Sequence, residues 1–103
     1  MEEEHLQSVM GLIMYGGTAK SLAMEAINLA KKHQIEEAKE KLKEAEQALI
    51  EAHHSQTDML TQEAQGTAVP ISLLLVHGQD HLMTSITFVD LAKEVVDIYE
   101  KIG

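Results

Sequence analysis

His77 and His81 are the residues of this sequence best suited to chemistry. They stand in the run His77-Gly78-Gln79-Asp80-His81-Leu82-Met83-Thr84. If that segment is helical, both imidazoles fall on one face, within about 5–6 Å at Cβ. A neutral imidazole can accept a phosphoryl group, act as acid or base, or bind a metal near neutral pH. The chain has no cysteine, which excludes thiol nucleophiles, disulfides and thiolate metal sites together. It has neither the glycine pattern of a nucleophile elbow nor a glycine-rich phosphate loop. Transfer chemistry at a histidine therefore competes with one rival, a metal-binding helical bundle using the His, Glu and Asp cluster. Glu51-Ala52-His53-His54 supplies Glu-x-x-His once, whereas carboxylate-bridged dimetal bundles use that pattern twice, on four helices.

Other polar side chains converge on the same level. In an antiparallel hairpin with its turn centred near Ala68, Gln56 lies opposite about Asp80, and His53 faces Met83-Thr84. His53 and Gln56 share a helical stripe with Leu49 and Leu60. A buried polar group without a partner costs about 1–3 kcal/mol, so His53, Gln56, His77, His81 and Thr84 would together be an expensive accident unless they form a site. Asp80 is a further oddity, a carboxylate on a stripe with Leu73, Val76 and Met83. His5 and His54 fall off these stripes and are expected to be solvated.

Three elements must hold these groups. Residues from about Glu4 to Lys32 carry apolar side chains on more than one helical face, interrupted by Gly16-Gly17. Each glycine costs a helix up to about 1 kcal/mol relative to alanine, so the pair implies either close approach of a neighbour or a local kink. The apolar phase changes at His33-Gln34, giving a short turn. A second, amphipathic helix then aligns Ile35, Ala38, Leu42, Ala45, Leu49, Ala52 and Met59, with the charged Glu36 to Glu46 portion read as a solvated face of i,i+4 pairs. Gln65 to Pro70 is the second break, with Gly66 suited to end a helix and Pro70 to begin one. The third helix runs to near Lys101 and aligns Leu74, His77, His81, Thr84, Phe88, Leu91, Val95, Ile98 and Ile102, a seam whose lower half reads as core.

The predicted fold is all-α, an antiparallel up-down-up three-helix bundle occupying residues 1–103 as one domain. The first half of the third helix is apolar all round, which a single bundle cannot bury, so association with other copies is expected. A formal net charge of -9 disfavours nucleic acid and anionic membranes. No stretch approaches the roughly 20 apolar residues of a membrane span, and Met1 leads into Glu2-Glu3-Glu4 rather than a basic signal, which predicts a cytoplasmic protein.

The run from His77 to Thr84 resembles the signature of the enzyme IIA components of the lactose/cellobiose/chitobiose class of the sugar phosphotransferase system. Glu51-Ala52-His53-His54-Ser55-Gln56-Thr57 and Gly17-Thr18-Ala19-Lys20-Ser21 resemble two further patterns of that family, with Lys20 in place of the usual arginine and Thr18 in place of the usual acid or amide. The resemblance implies that His77 is the phosphoacceptor, taking a phosphoryl group from the phosphocarrier HPr and passing it to a cysteine of the cognate enzyme IIB. It implies a homotrimer, a nine-helix bundle with the active histidines between subunits. Three copies of Asp80 would gather on its axis around a divalent metal ion such as Mg2+. Gln79, His81, Gln56 and Thr84 are the candidate supporting residues. The expected sugar is a β-linked disaccharide, cellobiose or another β-glucoside before lactose or chitobiose.

Overall fold

The computed structural model describes residues 3–103 as three long helices, α1 (Glu3–Lys31), α2 (Ile35–Ala64) and α3 (Leu73–Ile102), with no strand among the described residues. They form the expected up-down-up bundle, a rod of 53 × 19 × 17 Å in which α1 packs on both other helices. α1 and α3 run parallel. Their N-terminal halves and the α2–α3 connection share the end that carries His77.

The connections have specific chemistry. α1 is closed by His33, whose φ of 60° is left-handed. Gln34 N–H donates to Leu29 O and His33 N–H to Ala30 O, the bond pair of a Schellman motif. α2 ends in the same way on Gly66, at φ 92°, with Thr67 N–H bonded to Gln62 O and Gly66 N–H to Glu63 O. Pro70, however, does not begin α3. Residues 67–72 are non-helical, and Ser72 caps the helix, its side chain accepting from Leu75 N–H at 3.1 Å. A hydroxyl acceptor satisfies a free N–H of the first turn, which a proline there cannot do.

The core is built from small residues. Ala19, Ala23, Ala26, Ala30, Ala45 and Ala92 are fully enclosed toward the His33 end; Val9, Leu12, Ala52, Met59 and Leu82 fill the other. The buried line of α3 is Gly78, Leu82, Ser85, Val89, Ala92 and Val96, which corrects the expected seam. Leu91 is 59% exposed, and Ile98 and Ile102 are also exposed. Gly78, Ser85 and Ala92 on the buried line let α1 and α3 approach closely, while Leu91, Ile98 and Ile102 face outward. The charged part of α2 is a solvated face, but its internal pairs, Glu36–Lys39, Glu40–Lys43 and Lys41–Glu44, are spaced i,i+3 rather than i,i+4. Lys39 also reaches Glu100 at 2.8 Å, and Lys93 reaches Glu46 at 2.6 Å, two links from α2 to α3.

Candidate functional site

The site is positioned by one close helix crossing. α1 is continuous through Gly16-Gly17, so the glycines do not break it. A Cβ on Gly16 would lie 3.2 Å from the His81 carbonyl oxygen, and Ser85 Oγ donates to Gly16 O at 2.8 Å inside the core. A Cβ on Gly78 would lie 3.2 Å from Leu12. The close approach that the glycine pair implied is real at Gly16 and absent at Gly17, where an added Cβ meets nothing within 4 Å. Gly78 and Ser85 thus pin the turn of α3 that bears both histidines. Sequence reasoning passed over Ser85, although its spacing from Gly78 and Leu82 places it on their stripe.

His77 is exposed on the second turn of α3, over an apolar recess of about 430 Å³ formed with Leu73 and Leu74. Its ring meets that of His81 edge to face, with centroids 4.6 Å apart and planes at 87°. His81 is half-buried, and its Nδ1 is enclosed without a hydrogen-bond partner. Burial pushes its pKa below the ordinary imidazole value; His77 and Lys20 lower it further, and Asp80 opposes them. The imidazole beside His77 is therefore held neutral, a pairing that suits a nucleophilic ring next to a hydrogen-bonding one.

The remaining predicted residues divide between two flanks of α3. Gln56 Nε2 donates to Gln79 Oε1 at 2.8 Å, so Gln56 stands opposite Gln79, one residue from the expected level of Asp80. Two positions along a helix turn a side chain by about 200°, so this amide pair lies on the α2 side, away from His77. It lines a cleft of about 180 Å³ with Met59, Leu60 and Leu75. Thr84 is exposed near His81 and donates its Oγ1 hydrogen to Asp80 O at 2.7 Å, within its own helix. Asp80 is exposed on the stripe of Leu73, which is 86% exposed, Val76 and Met83.

Burial does not carry the argument for a cluster, because His53, His77 and Thr84 are exposed in this chain. His54 is solvated as expected, but His5 is not. It is 7% exposed, with Nε2 unpartnered, beside Gln62, Thr67, Ala68 and Pro70, where the α2–α3 connection folds over the start of α1. The metal-bundle alternative finds no assembled ligand set. Among the described residues, no group of three or more His, Asp or Glu side chains is placed to hold a metal.

Fold and site define a small helical protein whose candidate imidazole, His77, stands on its surface rather than in a substrate chamber. Residues 7–100 match the family described as "PTS system, Lactose/Cellobiose specific IIA subunit", and the chain belongs to that family of phosphotransferase components. It is 46% identical over 102 residues to the lichenan-specific phosphotransferase enzyme IIA component of Bacillus subtilis (strain 168), covering 99% of this chain and 93% of that one. The crystal structure of the PTS cellobiose-specific enzyme IIA from Bacillus anthracis superposes with a TM-score of 0.94 at 44% identity, covering 99% and 94% of the two chains. The IIA(chitobiose)–HPr complex of the Escherichia coli N,N'-diacetylchitobiose branch gives a TM-score of 0.83 at 39% identity, covering 99% and 98%. No helix among the described residues is long and apolar enough to cross a membrane.

Proposed function

We propose that this chain is the phosphoryl carrier of a sugar phosphotransferase system, with His77 as phosphoacceptor. The observation that carries the reading is an exposed imidazole on an apolar rim, backed by a second imidazole held neutral 4.6 Å away. A ring nitrogen lone pair of His77 attacks the phosphorus of phospho-HPr, forming a P–N bond as the bond from phosphorus to HPr breaks and HPr leaves with that electron pair. A cysteine thiolate of the cognate enzyme IIB then forms a P–S bond as the P–N bond to His77 breaks, and His77 is regenerated. Such transfers demand positioning and charge stabilisation more than covalent machinery. The Leu74 side of the recess beside His77 is the docking surface for both partners in turn. A structural relative seen in complex with HPr supports that partner. Relatives described as specific for lichenan and cellobiose support a β-glucoside as the sugar.

The assembly is a homotrimer. The exposed stripe of Leu73, Val76, Asp80, Met83, Leu91 and Ile98 is covered when three α3 helices meet. A closed ring joins unlike faces of neighbouring copies, so the His77 flank of one subunit meets the Gln56–Gln79 flank of the next. In that arrangement the two amides support His77 across the boundary, while His81 and Thr84 do so from within the subunit. Asp80 fits a place on the axis. It is an oxygen donor on an apolar surface, in no ion pair among the described residues, and three such carboxylates brought together on a threefold axis would offer the oxygen ligands that suit a hard divalent cation such as Mg2+. Such a cation would offset the repulsion of the carboxylates.

Incubation with phosphoenolpyruvate, enzyme I and HPr is expected to give an acid-labile phosphoprotein, and His77→Gln to abolish labelling. A folded His77→Gln chain that still takes up the label sinks the assignment.

A further inference from the structure

A phosphoryl group brings about two negative charges, and the end of this protein that must receive it is short of positive ones. All eight basic side chains are lysines. Lys39, Lys41, Lys43, Lys93 and Lys101 are ion-paired, and Lys31 and Lys32 stand at the far end beside the α1–α2 turn. No lysine occurs in residues 3–19, 47–64 or 65–86, whereas Glu51, Asp58, Glu63 and Asp80 do. Lys20 is thus the lysine nearest the site along α1, and it makes no ion pair among the described residues.

Its placement is fixed by the helix crossing. Lys20 follows Gly16 by one turn, on the flank of α1 that packs against the His81 and Ser85 turn of α3. Helical side chains lean toward the N-terminus of their own helix, which carries the half-buried Lys20 stem back toward His81. His77 is the next ring outward, at 4.6 Å.

We propose that the Lys20 ammonium is the counter-charge that stabilises the phosphoryl group carried on His77, an inference that rests on the phosphoryl-carrier reading. The group needs only proximity and flexibility for this, since a single cation over a mobile dianion requires no bidentate geometry, and lysine serves as a point charge.

The test compares natural chain, Lys20→Gln and Lys20→Arg, each phosphorylated through enzyme I and HPr and checked for helicity. Phosphorus NMR follows the second ionisation of the phosphoryl group with pH. A nearby ammonium favours the dianion, so Lys20→Gln is expected to raise that pKa by about half a unit or more, and to shift phosphoryl partition toward HPr about threefold. Lys20→Arg should stay near the natural chain, and both effects should shrink as salt rises from about 0.05 to about 0.5 M. A folded Lys20→Gln whose phosphoryl titration and partition match the natural chain overturns the proposal, as does a Lys20→Arg that behaves like Lys20→Gln. A natural chain that takes no phosphoryl group at His77 overturns the carrier reading itself.

Discussion

At the scale of the residue, the two histidines of one motif are separated by their surroundings. His77 stands in solvent, while His81 is half-buried with one ring nitrogen enclosed. Its lowered pKa means that the folded chain binds fewer protons than the unfolded chain in the window between that lowered value and the ordinary 6.5. Stability from this group therefore rises with pH across the window, and the full penalty applies below it. Urea unfolding at pH 7.5 and 5, both chosen to lie about one unit or more from 6.5, should show the natural chain losing more stability on acidification than His81→Gln. Equal losses would mean that His81 charges as freely folded as unfolded. His81→Ala should also slow phosphoryl transfer without abolishing it, because the proposed function gives the attacking nitrogen to His77. Complete loss there, with retained labelling in His77→Gln, would reverse the two roles. The motif made both histidines legible, but spacing alone could not tell which one the core would cover.

At the scale of the element, the crossing of α1 and α3 decides where the histidines point. Gly16 and Gly17 have the same intrinsic cost in a helix, yet only Gly16 faces a neighbour, with the His81 carbonyl 3.2 Å from an added Cβ. That carbonyl belongs to a helix and cannot swing aside. Gly17→Ala is expected to raise stability by about 0.5–1 kcal/mol, and Gly16→Ala to lower it and to slow transfer by displacing the His81 turn. Thermal unfolding of the two variants side by side tests this. A loss at Gly17 instead would mark that position as covered by another subunit. Ser85→Ala should cost about 1 kcal/mol for its buried bond to Gly16 O. The glycine pair signalled a contact in the sequence, but the parallel register that selects Gly16 depends on how the whole bundle closes.

At the scale of the whole molecule, the exposed apolar stripe of α3 is the feature that a single chain leaves unanswered. Leu73 at 86% and Met83 at 55% exposure flank the Asp80 carboxylate, an arrangement that a trimer axis would cover. Sedimentation equilibrium at micromolar concentration is expected to give three times the chain mass. Chelation should weaken the natural trimer, whereas Asp80→Leu should stay trimeric in chelator, since exchanging a buried ionic cluster for packed apolar groups is often neutral or stabilising by about 1–4 kcal/mol. Asp80→Leu should also still be labelled on His77, three residues and a different stripe away. If it were folded and trimeric yet could not be phosphorylated, Asp80 would belong to the transfer chemistry.

The sequence alone determined the helical class, the number of helices and their ends to within a few residues, because Glu, Lys and Ala runs, the break at His33-Gln34 and the glycine at position 66 act locally. It also determined that the His77 and His81 imidazoles are neighbours on one helix face, since i,i+4 spacing needs no tertiary information. Tertiary structure decided which stripe of α3 is buried. Almost every stripe at the start of that helix is apolar, so hydrophobicity could not rank them, and close packing of α1 against Gly78, Leu82 and Ser85 did. It decided that His5 is enclosed beneath the α2–α3 connection, which depends on where a loop returns. It also turned the Gln56–Gln79 pair to the flank opposite His77, because the closeness of residues in a motif fixes their distance along the chain but leaves the direction of each side chain to the helix and its neighbours.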